Sequence, residues 1–279
     1  MTNEPLRIVK ASSVPLEEYT EAFMAGFAEY YLPLKMDVES LARKVRFEQC
    51  DLHYSLIAYE GDRRAGVAVL AIRGYEGWVG GLGVVPELRG RGVGRLLMEA
   101  LLESARAARL RRLSLEVLLQ NVAARRLYAA VGMRVVREML VLERGAVEDA
   151  GPPAREGCAL EEAPCSELLS HFVRLHHVAP AWQRDLPTLL VGRARGLRLG
   201  PRERPRAYVL VSAPLDGYTY LTDLAAAAAD AARELSAGLA CVEGALRVIN
   251  EPEQSLFIAP LIEHGFAESF RQHEMAIEL

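Results

Sequence analysis

The sequence predicts an α/β chain in two domains, and three observations carry that reading. Leu82, Val84 and Val85 end a buried strand that runs through a glycine-rich turn into an amphipathic helix. Leu113, Leu115 and Val117 alternate with Ser114 and Glu116, which is the period of a strand. After a break near residue 150, the same order of elements returns in weaker form. The chain has 279 residues, 51% of them hydrophobic and 25% charged, enough for two ordinary domains with packed cores.

In order, Leu6–Val9 reads as a short strand and Pro15–Phe27 as a helix with Leu16, Tyr19, Phe23 and Phe27 on one face. An aromatic loop around Pro33 leads to a second helix, Val38–Phe47. Ser55–Tyr59 and Gly66–Ile72 form a hairpin across Glu60–Arg63. Then comes the Trp78 strand, closed by Pro86, which cannot donate to a ladder. The helix after the glycine turn extends to about Arg109, with Val93, Leu96, Leu97, Ala100, Leu101 and Ser104 as its inner face. Asn121 caps the next helix, Gly132 ends it, and Arg134–Leu142 supplies one or two closing strands. Residues 147–157 lack periodicity and hold two prolines, so they read as a linker between domains at 1–146 and 158–279. In the second domain, Cys158–Leu160, Ser166–Leu175, Ala207–Ser212, Tyr218–Leu224, Asp230–Leu239 and Ala245–Ile249 repeat the order, with Asn250 and Gly265 in the places of Asn121 and Gly132.

The turn Val84-Val85-Pro86-Glu87-Leu88-Arg89-Gly90-Arg91-Gly92-Val93-Gly94-Arg95 is a ready anion site. First-turn helix N–H groups point into it, the alternating glycines permit close approach, and Arg89, Arg91 and Arg95 add positive charge. It is not a dinucleotide fingerprint, because Arg95 stands where the third glycine would be. It also lacks the Gly-Lys-Ser/Thr of a nucleotide-triphosphatase loop. Arg89, Gly92 and Gly94 in Arg-x-x-Gly-x-Gly spacing, followed by Glu116-Val117, Asn121, Leu127-Tyr128 and Gly132-Met133, resemble the GCN5-related N-acetyltransferase (GNAT) superfamily. The resemblance covers residues 6–144 in layout and is sharp over 78–133.

That resemblance implies two acetyltransferase-like domains, the second degenerate, each with a mixed, mostly antiparallel twisted sheet flanked by helices. It implies acetyl-CoA as cosubstrate, held by the amides of Arg89, Gly90, Arg91, Gly92, Val93, Gly94 and Arg95, with Asn121 and Tyr128 on the pantetheine side. It also implies an oxyanion donor at the Val84 or Val85 N–H, Tyr128 as the acid for the thiolate and Glu116 as the base. The chemistry needs a base, since deprotonating an alkylamine at pH 7 costs roughly 4–5 kcal/mol. Glu116 as a solvated strand residue, Tyr128 as a plain core tyrosine and Asn121 as a plain helix cap are the competing readings. The resemblance further implies an acceptor that is a small-molecule amine or a protein N-terminus, met by Glu29, Tyr30, Tyr31, Lys35 and Asp37, with Glu29 and Asp37 as plain exposed carboxylates the competing reading. A non-catalytic acyl-CoA sensor or scaffold is the alternative function.

A net charge of −4 and a pI near 6.0 speak against a general nucleic-acid or anionic-membrane binder. The six histidines lack paired ligand spacing, so no metal is expected. Cys50, Cys158, Cys165 and Cys241 are scattered and read as buried, reduced thiols of a cytoplasmic protein, monomer or homodimer.

Overall fold

The structure is a computed structural model that describes residues 5–32, 34–146 and 160–279. Two compact units emerge: one ends at Val136 but includes His273–Leu279, the other is Arg137–Gln272.

The first unit begins with β1 (Leu6–Lys10), α1 (Leu16–Gly26), α2 (Val38–Glu48), β2 (Leu56–Glu60), β3 (Arg63–Arg73) and β4 (Glu76–Val84). It continues with α3 (Val93–Ala107), β5 (Arg112–Leu118) and α4 (Val122–Ala130). β1 to β4 pair antiparallel in chain order, and β4 pairs parallel with β5. The parallel pairing spans only Glu76–Trp78 against Arg112–Ser114. On the other side, Val69 faces Gly81 and Leu70 faces Val79, so Gly80 is the extra residue of a bulge. Pairing stops and the bulge turns β4 at the same place, which leaves β4 and β5 splayed.

The core of this unit joins Leu70, Val79, Leu113, Leu115 and Val117 to Val93, Leu97, Met98, Leu101, Leu102 and Ala105 of α3. The helix face is therefore rotated from the one the spacing suggested: Leu96 is exposed, while Met98, Leu102 and Ala105 are inside. A strand presents two faces. α1 lies on the one opposite α3, where Gly26 and Gly83 meet so closely that a Cβ on Gly83 would fall 2.8 Å from the Gly26 carbonyl carbon.

The second unit holds most of β6 (Arg134–Arg144), then β7 (Leu160–Ala163), α5 (Cys165–Leu169), α6 (Phe172–Leu175), α7 (Leu186–Val191), β8 (Arg195–Leu199) and β9 (Ala207–Val211). It continues with β10 (Tyr218–Ala226), α8 (Ala229–Gly238), β11 (Ala245–Pro252), α9 (Ile258–Glu263) and β12 (Ala267–Glu278), whose end returns to the first unit. The plan is the same: β7 to β10 pair antiparallel, and β10 pairs parallel with β11 over Tyr218–Tyr220 and Ala245–Arg247 alone. A register shift between Leu221 and Asp223 stands where the first unit has its bulge. α7 and β8 were not anticipated, and Asn250, expected as a cap, instead sits inside β11 at φ 56°.

The compact units do not end where the periodicity placed the domain ends. β6, a single strand, pairs antiparallel with β11 and puts Leu140 and Leu142 into the second core. Met275 belongs to the first core, and the Leu279 N–H donates to Arg111 O. Alternation specifies the faces of a strand but not which sheet accepts it. The expected linker at 147–157, and Pro33, lie outside the described residues.

Candidate active site

The glycine turn leaves β4 through a short 3₁₀ turn at Pro86–Leu88 and enters α3 at Val93. Gly90 has φ 75° and Gly92, the N-cap of α3, has φ 88°, a left-handed backbone that favours glycine. No heavy atom lies within 4 Å of where a Cβ on either would sit, so the cradle is open. Helical bonding starts with the Leu96 N–H to Gly92 O at 3.0 Å. The amides of Val93, Gly94 and Arg95 thus precede the first intrahelical donor and form the anion-facing end of the helix. Gly94 plays a different part: its Cβ direction runs onto Leu127, Val84 and Leu82, so it is a packing position between α3 and α4.

The three arginines separate by role. Arg89 turns inward: its Nε donates to Val84 O at 3.0 Å, its guanidinium reaches Ala28 O, and its N–H is taken by Pro86 O. It pins the turn to the end of α1 rather than pointing at the cradle. Arg91 is paired with Glu60 at 2.7 Å and Arg95 with Glu99 at 2.8 Å. Such exposed pairs are worth about 0–1 kcal/mol each, little enough to be exchanged for an anion.

Of the two N–H groups expected as an oxyanion donor, one is already engaged. The Val85 N–H already donates to Ala65 O at 3.0 Å, which removes Val85 from that role. Consecutive strand amides point in opposite directions, so the Val84 N–H faces away from β3, into the splay.

Glu116 and Tyr128 lie on opposite faces of the sheet beside that splay. Glu116 is two residues past Ser114, the last paired residue of β5, and is half-buried on the face away from Leu113, Leu115 and Val117. It is not a solvated strand glutamate, since Trp78 Nε1 donates to its Oε2 at 2.7 Å. Tyr128 is buried in the first core, on α4. Burial, with the Tyr30 phenol nearby, pushes its pKa well above the ordinary tyrosine range. No hydrogen bond to its hydroxyl is formed among the described residues. Asn121 does cap α4, accepting from the Ala124 N–H at 3.2 Å, and its side chain also lies against the Tyr30 hydroxyl.

Phe23 stacks on Phe27, Phe27 meets Tyr30 and Tyr30 meets Tyr31 edge-to-face, and Tyr31 Oη donates to Gln120 O at 3.3 Å. This aromatic run closes the site on the α1 side. Asp37, expected near the acceptor, is the N-cap of α2 and accepts from the Ser40 N–H at 2.7 Å. Glu29 is exposed, 3.8 Å from Arg89. Lys44 and the Trp78–Glu116 bond went unnoticed in the sequence. The only signal was a tryptophan two residues before a Gly-Gly pair, and register alone aims it at Glu116. Among the described residues, no group of three or more His, Cys, Asp or Glu is placed to hold a metal ion. No helix there is long and apolar enough to cross a membrane. Cys50 is buried, whereas Cys165 and Cys241 are only half-buried.

Comparison with known proteins bears on this geometry. The model of the acetyltransferase (GNAT) family matches residues 16–133. No curated protein matches at a significant level. Among solved structures, a GCN5-related N-acetyltransferase from Sphaerobacter thermophilus is 16% identical with a TM-score of 0.70, over 99% of this chain and 96% of that one. A tandem GNAT protein from the clavulanic acid biosynthesis pathway is 18% identical with a TM-score of 0.67, over 98% of both chains. A GCN5-related N-acetyltransferase from Anabaena variabilis is 13% identical with a TM-score of 0.65, over 98% of this chain and 72% of that one. Residues 16–133 thus form an acetyltransferase domain of the GNAT family, in a chain with the fold of a tandem GNAT protein.

Proposed function

We propose that this chain is an acetyl-CoA-dependent N-acetyltransferase whose acceptor is a primary amine of a small molecule or of a protein N-terminus. The observation that carries the reading is the splay itself. A carboxylate, Glu116, and a phenol, Tyr128, flank the gap between β4 and β5 from opposite faces, next to the open cradle of Gly90 and Gly92. That cradle fits a pyrophosphate: it combines an exposed helix N-terminus, two left-handed glycines and the exchangeable cations Arg91 and Arg95.

When bound, acetyl-CoA supplies the activated acetyl thioester. The chain's residues do the rest. Gly90 to Arg95 hold the phosphates, and Asn121 flanks the pantetheine path. The Val84 N–H offers a hydrogen bond at the reacting carbonyl oxygen. Glu116 Oε accepts a proton from the incoming amine. Tyr128 Oη holds a proton for the departing sulfur; burial keeps that phenol protonated at neutral pH. The free thiols Cys50, Cys165 and Cys241 are in keeping with a reducing, cytoplasmic setting.

The test is thiol release from acetyl-CoA with a panel of primary amines and free N-terminal peptides. At least one acceptor is expected to accelerate release, and Glu116→Gln to slow it about 10²-fold, a deficit that shrinks as pH approaches the amine's own pKa. Tight acetyl-CoA binding with no release for any acceptor would instead identify an acyl-CoA sensor.

A further inference from the structure

The backbone pairing of β4 with β5 ends at Trp78 opposite Ser114, and a side chain continues it. Trp78 Nε1 donates to Glu116 Oε2 at 2.7 Å across the opening gap. The indole is only 4% exposed. Its room comes from the bulge: a Cβ on Gly80 would lie 2.8 Å from the ring's Cζ3. Over the ring stands the Lys44 ammonium of α2, 5.0 Å from the centroid and ion-paired with Glu48. The tryptophan is thus held by both the sheet and α2.

We propose that Trp78 is a positioning residue for Glu116, resting on the reading of Glu116 as the base. An indole N–H donates and cannot accept, so it favours the ionised carboxylate and fixes its rotamer. Because it is uncharged, it lowers the carboxylate's basicity less than a directly paired Arg or Lys would. An oriented carboxylate that stays basic is what removing a proton from an ammonium requires. The strands part at this point, so no backbone contact could aim Glu116 into the splay.

Trp78 and Trp182 are the only tryptophans in the sequence, so the full chain labelled with ¹⁵N in its indoles gives two signals, assigned by Trp78→Phe. The Trp78 indole resonance is expected to move as acid protonates the Glu116 carboxylate, and to stay still in Glu116→Gln. With the best acceptor from the amine panel, Trp78→Phe is expected to lower turnover about 5- to 10-fold at pH 7. Its acid limb should shift to higher pH while the KM for acetyl-CoA stays within about two-fold. An indole signal indifferent to Glu116→Gln overturns the proposal, as does a Trp78→Phe deficit equal at every pH. If Trp78→Phe does not fold, the Glu116→Gln comparison on the wild-type indole still decides the pairing. Wild-type turnover in Glu116→Gln brings down the base reading itself and the positioning role with it. A slowed Glu116→Gln with an unmoved indole leaves the base standing and removes only Trp78.

Discussion

A single hydroxyl offers the cleanest separation of chemistry from packing. Tyr128 fills the core between α3 and α4, so Tyr128→Phe keeps the packing and removes only the proton. Turnover should fall about 10²-fold, with acetyl-CoA affinity by calorimetry nearly unchanged. Since burial and the Tyr30 phenol raise the Tyr128 pKa, the acid form persists as pH rises, and loss of the proton belongs above the ordinary tyrosine range. The pH–rate profile of the wild type should therefore show no falling limb from this residue below about pH 10. A tyrosine limb near neutrality, abolished by Tyr128→Phe, would contradict the buried assignment. The candidacy of Tyr128 was legible in the Leu127-Tyr128 to Gly132-Met133 spacing. Its neighbour Tyr30 was legible only as an aromatic in a loop, because 97 residues lie between two rings that folding brings together.

Among the elements, the strand–turn–helix of β4 and α3 shows why glycines that look alike in sequence differ in consequence. Gly92 stands at φ 88° in open space, whereas Gly94 has an ordinary backbone and a Cβ added there would meet Leu127 at 3.4 Å. Gly92→Ala should cost about 1–2 kcal/mol of stability from backbone strain alone, before any ligand is present. Gly94→Ala should be mild by comparison. Thermal melts without ligand, paired with calorimetry of coenzyme A binding, separate strain from lost phosphate contact. Equal melting temperatures for the two variants would show that the left-handed cap is not needed. The helical period predicted α3 correctly but misplaced its inner face by part of a turn. Leu96 and Met98 both suit a core, and only the packing against β3 and β4 chose Met98.

For the whole molecule, the second unit repeats the splay without the anion cradle. Only Ala227 and Ala228 lie between the end of β10 at Ala226 and the start of α8 at Ala229, so no loop is left to wrap a phosphate. Loop length, more than charge, decides this, because Asp230 is neutralised by Arg206 at 2.8 Å. Leu261, in the place of Tyr128, is fully buried and apolar. The diverging strands are bridged instead by the chain's own Arg184, 3.7 Å from Asp223 on β10 and ion-paired with Glu251 on β11. Tyr208 Oη donates to Asp223 at 2.7 Å, and His176 Nε2 lies 3.2 Å away. Buried charges paired with one another close the gap from within. Equilibrium dialysis should therefore find one coenzyme A per chain; two would refute the reading of the second unit as degenerate.

The amino-acid sequence by itself determined the order of elements from β1 to α4, the glycine turn and the candidacy of Glu116 and Tyr128. Each of these rests on local signals: period 2 or 3.6, turn-forming glycines, and residue types at short spacing. Tertiary structure decided what depends on partners distant in the chain. It gave β6 to the second core and the end of β12 to the first, because a strand's alternation is satisfied in any sheet that buries its apolar face. It spent the buried Val85 N–H on Ala65 and turned the exposed Arg89 guanidinium onto carbonyls, because folding brings those acceptors within reach. And it aimed Trp78 at Glu116, because the register of two parallel strands is set by the packing of both their faces and not by either strand's own residues.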